Sequence, residues 1–506
     1  MTENLRKKTF KGIVWSYVSK FGTQIAAILP AMILTRLLEP SDYGLIAMTG
    51  IFTGIAFLLA DGGFGTALIQ KKDADHLDYC SVFYFNLSVH ILMYICVFFA
   101  APYCASYFNE ERLTPIIRIS ALNLVFLAIG NIHANLLKKQ LEFKKPAIRN
   151  ITVQIISAVI AIILAFAGYG VWALVVQGLC QTLMGSIANW MISNWRPTMT
   201  FSFSRIRQLF KFGSNILLSG VIGYVLGRVY DIIIGKYYSS KDLALYNRGF
   251  TTAAIFSDSL SGMYTSVAFP LFSKMQSDKQ RLLLNVRRFV IISCMVMFPV
   301  TMVMIVLASP FITFMYSSKW ILVIPFFQLV CIMSLFSPII GLSETMLLAL
   351  GSSDKYLILS IIRRIFFVIA ALVTWRYGII YMLLGQIVCR IIEVLILNHF
   401  IREKVNYSMW KFAKDLVPYT FISLCIMAAA YGVDYLANNL LSTFHLHEMI
   451  HSAIRLIVCG GISISLFLLI YIRTGLYGYK ELLIFVNDSI GSNKLLHKLA
   501  PKGMAL

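Results

Sequence analysis

The stretch Arg36-Leu-Leu-Glu-Pro-Ser-Asp-Tyr-Gly44 lies between two long apolar runs. Pro40 and Gly44 interrupt a helix, whereas Ser41 and Asp42 are residue types that cap the start of the next one. The stretch therefore predicts a tight hairpin between two membrane-spanning helices.

A similar stretch recurs as Lys236-Tyr-Tyr-Ser-Ser-Lys-Asp-Leu-Ala244. The two aspartates differ by 242 − 42 = 200 positions, and Phe10-Lys11 and Phe210-Lys211 share that offset. A repeat of this length is typical of a transporter built from two related halves.

The composition is that of a membrane protein. Hydrophobic residues make up 58% of the 506 positions and charged residues 13%, and the mean hydropathy is +0.77. A soluble globule could not bury apolar runs of about 20 residues that follow one another along the whole chain. The net charge of +21 does not indicate nucleic-acid binding, because the basic residues cluster in alternate loops.

The apolar runs predict an all-α polytopic membrane protein of about 14 transmembrane helices. We place them at residues 12–38, 44–70, 79–101, 115–137, 146–167, 170–194, 210–235, 244–272, 284–308, 322–350, 355–375, 378–400, 412–437 and 450–473. Six spans per half give two pseudo-twofold-related six-helix bundles plus two C-terminal helices. The predicted domains are a first bundle (1–194), a basic cytoplasmic linker (195–209), a second bundle (210–401), two further transmembrane helices (402–474) and a cytoplasmic tail (475–506).

Loop charge predicts the orientation. One set of alternate loops holds most Lys and Arg residues, including Lys138, Lys139 and Arg149, whereas the other set holds few. Because cytoplasmic loops carry the excess of positive charge, both termini are expected in the cytoplasm.

Charged residues inside apolar helices are costly and often mark a substrate pathway. The candidates for binding an anionic substrate in a cationic cavity between the halves are Arg36, Asp61, Arg118, Arg228, Asp231, Arg248, Glu344 and Arg390. Other roles are open for them. Arg228 with Asp231, and Arg390 with Glu393, are three residues apart and can pair on one helix face, and arginines near span ends can reach the membrane interface.

The sequence does not favour an enzyme. It contains no P-loop motif. His447-Glu448-Met449-Ile450-His451 fits the H-E-x-x-H zinc pattern, but it lies at the outer end of a span, with only His445 nearby as a further ligand. We therefore predict no metal, no cofactor and no catalytic residue.

Three stretches resemble a known family. Leu38-Glu-Pro-Ser-Asp-Tyr-Gly-Leu45 resembles the first hairpin of bacterial polysaccharide exporters. The stretch Asp61-Gly-Gly-Phe-Gly-Thr-Ala-Leu-Ile-Gln-Lys-Lys72, followed by Val82-Phe-Tyr-Phe-Asn-Leu87, and the stretch Tyr169-Gly-Val-Trp-Ala-Leu174 are similar to the Wzx-type flippases of the colanic-acid and teichuronic-acid exporter branch. These flippases belong to the multidrug/oligosaccharidyl-lipid/polysaccharide (MOP) exporter superfamily.

The resemblance implies a flippase that carries an undecaprenyl-pyrophosphate-linked oligosaccharide to the outer leaflet for surface polysaccharide biosynthesis. It implies as partners the lipid-linked substrate and membrane lipids, and it allows a coupling cation (H⁺ or Na⁺), a polymerase and other assembly proteins. Alternatives are an ion-coupled drug antiporter of the same superfamily, a flippase for peptidoglycan lipid precursors, and a membrane enzyme of polysaccharide assembly.

Overall fold

A computed structural model describes residues 2–490 except 72, 141, 277, 406 and 445. The described residues form helices joined by short turns, and they contain no β-strand. The predicted all-α class is confirmed. Contacts divide the chain into two compact units, one ending at Ala244 and the other beginning at Leu245.

The first unit holds ten helices and the start of an eleventh. They are α1 (Thr2–Leu37), α2 (Pro40–Asp61), α3 (Phe64–Gln70), α4 (His76–Phe108), α5 (Leu113–Ser120), α6 (Leu122–Lys139), α7 (Lys144–Phe166), α8 (Val171–Ile192), α9 (Phe203–Gly227), α10 (Val229–Tyr237) and α11 (Ser240–Lys274).

The second unit takes up most of α11 and the rest of the described chain. Its further helices are α12 (Lys279–Val306), α13 (Ala308–Tyr316), α14 (Ile324–Ser334), α15 (Ser337–Ala349), α16 (Ser353–Thr374), α17 (Ile379–Val405), α18 (Met409–Ser442), α19 (Glu448–Thr474) and α20 (Tyr477–Ile490).

A helix occupies each of the predicted spans. Among the described residues, 12 helices are long and apolar enough to cross a membrane, or 13 if α9 and α10, which bend by 41° at Arg228, form one span. The remaining predicted span corresponds to α11, which carries Asp242 in its first turn and Pro270 in its interior.

Both copies of the predicted hairpin have the same cap. The backbone nitrogen of Glu39 donates to Asp42 Oδ2 (3.3 Å), and that of Ser239 donates to Asp242 Oδ2 (3.2 Å). Within the first unit the copies touch, because a Cβ added to Gly44 would lie 1.8 Å from the backbone oxygen of Ser240. Only glycine permits this approach.

The second predicted span breaks after Asp61. Gly62 (φ 57°) and Gly63 (φ 70°) adopt left-handed backbone conformations that end α2 and start the short α3. Beyond α3, Lys71 Nζ lies 2.6 Å from the buried carboxylate of Asp78. The Asp-Gly-Gly stretch thus makes the corner where α2 turns into α3.

The linker and the described part of the tail, residues 475–490, are packed segments. Trp195 Nε1 donates to His76 Nδ1 (3.1 Å), and Ser202 N donates to Ser81 Oγ (3.0 Å), which docks residues 195–202 on the start of α4. In the tail, Gly478 N donates a hydrogen bond to Tyr419 Oη (2.9 Å), which holds α20 against α18. The first unit also includes α9 and α10, which the repeat assigns to the second half; the domain limits drawn from the repeat stay a prediction.

Candidate functional site

A polar cavity of about 660 Å³ lies in the first unit. Its walls come from α1, α2, α6, α7 and α8. Most of the polar side chains that line it are carboxamides and hydroxyls: Thr23, Gln24, Asn131, Asn150, Gln154, Gln181, Thr182, Ser186 and Asn189. Such groups donate and accept hydrogen bonds without carrying charge.

Close packing of α6 on α8 forms one side of this cavity. A Cβ on Gly130 would lie 2.7 Å from the Cα of Ser186, so glycine is required where the two helices cross. Ser186 Oγ donates to the backbone oxygen of Phe126 (2.6 Å), and Asn189 Nδ2 donates to that of Gly130 (3.2 Å). These bonds hold the cavity-lining face of α8 in a defined register against α6.

The single charged side chain among the described lining residues is Arg149. Its guanidinium donates to Asn150 Oδ1 (Nε, 3.0 Å) and to Asn189 Oδ1. Both partners are neutral amides, and no carboxylate of the described residues forms an ion pair with Arg149. A half-buried cation without a counter-ion is a site where an anion is strongly favoured.

Arg149 and Asn150 also line a second cavity of about 300 Å³. This vestibule, which Lys138 and Glu142 also line, lies towards the α6–α7 loop, where the charge pattern predicts the cytoplasm. Asn150 Nδ2 donates to Ser19 Oγ (3.2 Å) on α1. The Arg149–Asn150 pair therefore stands at the boundary between the vestibule and the polar cavity.

None of the eight predicted residues is among the described lining residues of the polar cavity. Asp61 comes nearest, because its Oδ1 accepts a hydrogen bond from Asn131 Nδ2 (2.9 Å), and Asn131 is a lining residue. Arg118 lies over the Phe98 ring, with its Cζ 4.4 Å from the ring centre. Arg36 is at the last turn of α1.

The two ion pairs anticipated from three-residue spacing are present. Arg228 Nη1 lies 2.7 Å from Asp231 Oδ2 at the bend between α9 and α10. Arg390 Nη1 lies 2.9 Å from Glu393 Oε2 on α17. These pairs neutralise four of the intramembrane charges locally.

The second unit adds a larger charge cluster and an aromatic site. Arg363 Nη1 lies between Glu344 Oε1 (2.8 Å) and Glu393 Oε1 (2.9 Å), which joins α15, α16 and α17. Arg248 stacks on two rings, with its Cζ 5.1 Å from the centre of Tyr316 and 5.4 Å from that of Trp320.

The last two membrane helices carry an ion pair of their own. Arg455 on α19 makes two hydrogen bonds to the carboxylate of Asp434 on α18, at 2.9 and 2.7 Å. Both side chains are largely buried.

Sequence reasoning missed Arg149, which it counted among the cytoplasmic loop charges. The signal was present, since Arg149 falls inside the predicted span 146–167, five residues before Gln154. The hydrogen bond between Gln181 Nε2 and Gln154 Oε1 (2.8 Å) shows that these polar positions on α7 and α8 face one another. For H-E-x-x-H, the described residues contain no group of three possible metal ligands, and His445 lies outside them.

The number and length of the apolar helices define a multi-pass membrane protein. Residues 33–325 match the model of a family described as polysaccharide biosynthesis protein. The chain belongs to this polysaccharide biosynthesis family.

Three relatives are similar over much or most of their length. The lipopolysaccharide biosynthesis protein WzxC of Escherichia coli (strain K12) is 22% identical over 448 residues, 87% of this chain and 90% of that protein. The teichuronic acid biosynthesis protein TuaB of Bacillus subtilis (strain 168) is 24% identical over 92% of this chain and 96% of its own. The succinoglycan biosynthesis transport protein ExoT of Rhizobium meliloti (strain 1021) is 25% identical over 63% and 65%, respectively.

Solved structures show the same fold. The lipid II flippase MurJ in an inward closed conformation superposes with a TM-score of 0.69 at 15% identity, covering 94% of this chain and all of MurJ. An inward-facing multidrug MATE transporter of the MOP superfamily superposes with a TM-score of 0.59 at 14% identity, over 78% of this chain and 98% of its own. The protein thus shares the fold of these two proteins.

Proposed function

We propose that this protein is a flippase for surface polysaccharide biosynthesis. It moves undecaprenyl-pyrophosphate-linked oligosaccharide repeat units from the cytoplasmic to the outer leaflet of the bacterial inner membrane, by alternating access through a cationic cavity. The observation that carries the proposal is the family match over residues 33–325 in a chain with the fold of a lipid flippase. Relatives named for three different polysaccharides support it.

The charge inventory agrees with an anionic substrate. The polar cavity of the first unit holds an arginine and, among its described lining residues, no carboxylate. A drug antiporter that binds cations would need the opposite charge there. Arginine forks match phosphate and carboxylate oxygens in pairs.

The substrate lipid and the surrounding bilayer are the direct partners in this proposal. A coupling cation, H⁺ or Na⁺, and the polymerase of the same assembly system are further proposed partners. Both termini lie in the cytoplasm, as the loop charges predict.

Translocation in liposomes tests the proposal. Purified protein is reconstituted with a fluorescent polyprenyl-pyrophosphate oligosaccharide, and a membrane-impermeant quencher reports how much label has reached the outer leaflet. We expect wild-type protein to accelerate flipping over protein-free vesicles. Arg149→Ala should slow it because it removes the cation that lines the polar cavity, whereas the exposed Arg207→Ala should not. Cation-coupled dye efflux without lipid flipping would identify an antiporter instead.

A further inference from the structure

We propose that the polar cavity of the first unit is a saccharide site whose Arg149 binds one acidic group of the sugar, such as a uronate carboxylate. This inference rests on the proposed function and goes further, because it names the part of the substrate that the cavity holds. The site is defined by Arg149, Asn150, Gln154, Gln181 and Asn189.

The first argument is the ratio of charge to neutral polar groups. One guanidinium stands among nine carboxamide and hydroxyl side chains. A pyrophosphate carries at least two negative charges and would call for more than one cation. One guanidinium without a carboxylate partner can bind one carboxylate. The amide side chains can bind the hydroxyls of a sugar, which also donate and accept hydrogen bonds.

The second argument is the preorganisation of Arg149. Asn150 and Asn189 hold its guanidinium from two sides with amide oxygens. An amide oxygen satisfies an N–H group but leaves the positive charge in place, so the group is fixed and still attracts an anion.

The third argument is access. The vestibule and the polar cavity share Arg149 and Asn150 as lining residues. The described lining residues of the vestibule include Lys138, Glu142 and Arg149. Their summed charge is positive, which favours entry of an acidic sugar from the predicted cytoplasmic side.

Binding of soluble saccharides to the full chain in nanodiscs tests this site without requiring transport. The acidic probe is a hyaluronan tetrasaccharide, which alternates glucuronate with N-acetylglucosamine, and the neutral probe is chitotetraose. Calorimetric titration should show tighter binding of the acidic probe to wild-type protein. Arg149→Gln should weaken that binding by about tenfold to a hundredfold, the range of a charge-assisted hydrogen-bond pair.

Other variants separate loss of the site from loss of the fold. Arg149→Gln should bind chitotetraose as wild type does, which reports an intact cavity, and Arg149→Lys should keep part of the preference for the acidic probe. Gln154→Ala should weaken both probes. The matched control Arg207→Gln removes an exposed arginine on α9 and should change neither.

Three outcomes would overturn the site. They are equal binding of the two probes to wild type, unchanged acidic binding in Arg149→Gln, and displacement of the acidic probe by an equal concentration of inorganic pyrophosphate, which would assign Arg149 to the lipid phosphate. The liposome assay measures flipping independently of saccharide binding. Flipping by wild type together with any of these three results would therefore reject the saccharide site alone. Absence of flipping would reject the proposed function itself.

Discussion

Replacing Gly44 by alanine should separate the two hairpins of the first unit. The added Cβ would lie 1.8 Å from the backbone oxygen of Ser240 and 2.4 Å from its carbonyl carbon. An ordinary contact needs about 3.4 Å, so the hairpins must part by roughly 1.6 Å, and overpacking of this kind costs about 1–3 kcal/mol. The obstacle is backbone, so no rotamer change can relieve it.

Thermal unfolding of purified protein measures this effect. Gly44→Ala should lower the free energy of unfolding, whereas Gly50→Ala on the same helix, with no atom within 4 Å of the new Cβ, should leave it unchanged or raise it slightly because alanine favours helix. Adding Ser240→Gly to Gly44→Ala should not restore stability, since glycine keeps the same backbone oxygen. Equal stabilities of the Gly44→Ala and Gly50→Ala proteins would refute the reasoning.

Three further changes test other features. Arg455→Gln should destabilise the protein by about 3–5 kcal/mol, because it leaves the buried Asp434 without its partner, and adding Asp434→Asn should recover part of that loss in a double-mutant cycle of thermal unfolding. Arg363→Gln removes the cation that lies between Glu344 and Glu393, so the two carboxylates repel one another and the unfolding temperature should fall. An unchanged unfolding temperature would show that Arg363 does not stabilise the fold. A backbone hydrogen bond from Asp78 is the main cause that holds the pKa of Asp75 below its ordinary value. The folding stability that this carboxylate contributes is therefore present above its unfolded-state pKa and is lost as pH falls through its folded-state pKa. Asp75→Asn should lose less stability in acid than wild type, and identical acid titrations of the two proteins would contradict this.

Local patterns made the hairpins and the nearby ion pairs predictable. The caps by Asp42 and Asp242 lie within four residues of the groups they bind, and Arg228 lies one turn from Asp231. Such contacts follow from helix geometry and from a few consecutive residue types. The break in the helix after Asp61 was predictable for the same reason, because Gly62 and Gly63 follow Asp61 directly in the sequence.

Contacts between distant positions were not predictable from one sequence. Arg363 is 19 residues from Glu344 and 30 from Glu393, and nothing in the spacing says that α15, α16 and α17 meet. Arg149 was assigned to a loop because loop charge and buried charge look alike near a span end. Only the packing of α7 on α8 places its guanidinium against Asn189.

The paired charges of Asp434 and Arg455 bear on how the chain enters the bilayer. Each would penalise the insertion of its own helix, by at most about 2.5–3.5 kcal/mol, which is the value for a charge at the helix centre on the translocon scale. The connection between α18 and α19 is short, and at about 5–20 residues per second Arg455 is synthesised a few seconds after Asp434. We expect α18 to wait beside the insertion machinery until α19 arrives, and the two helices to partition into lipid together as a neutral hairpin. We therefore expect the pair to favour insertion of the last two membrane helices, a step that precedes folding of the complete protein.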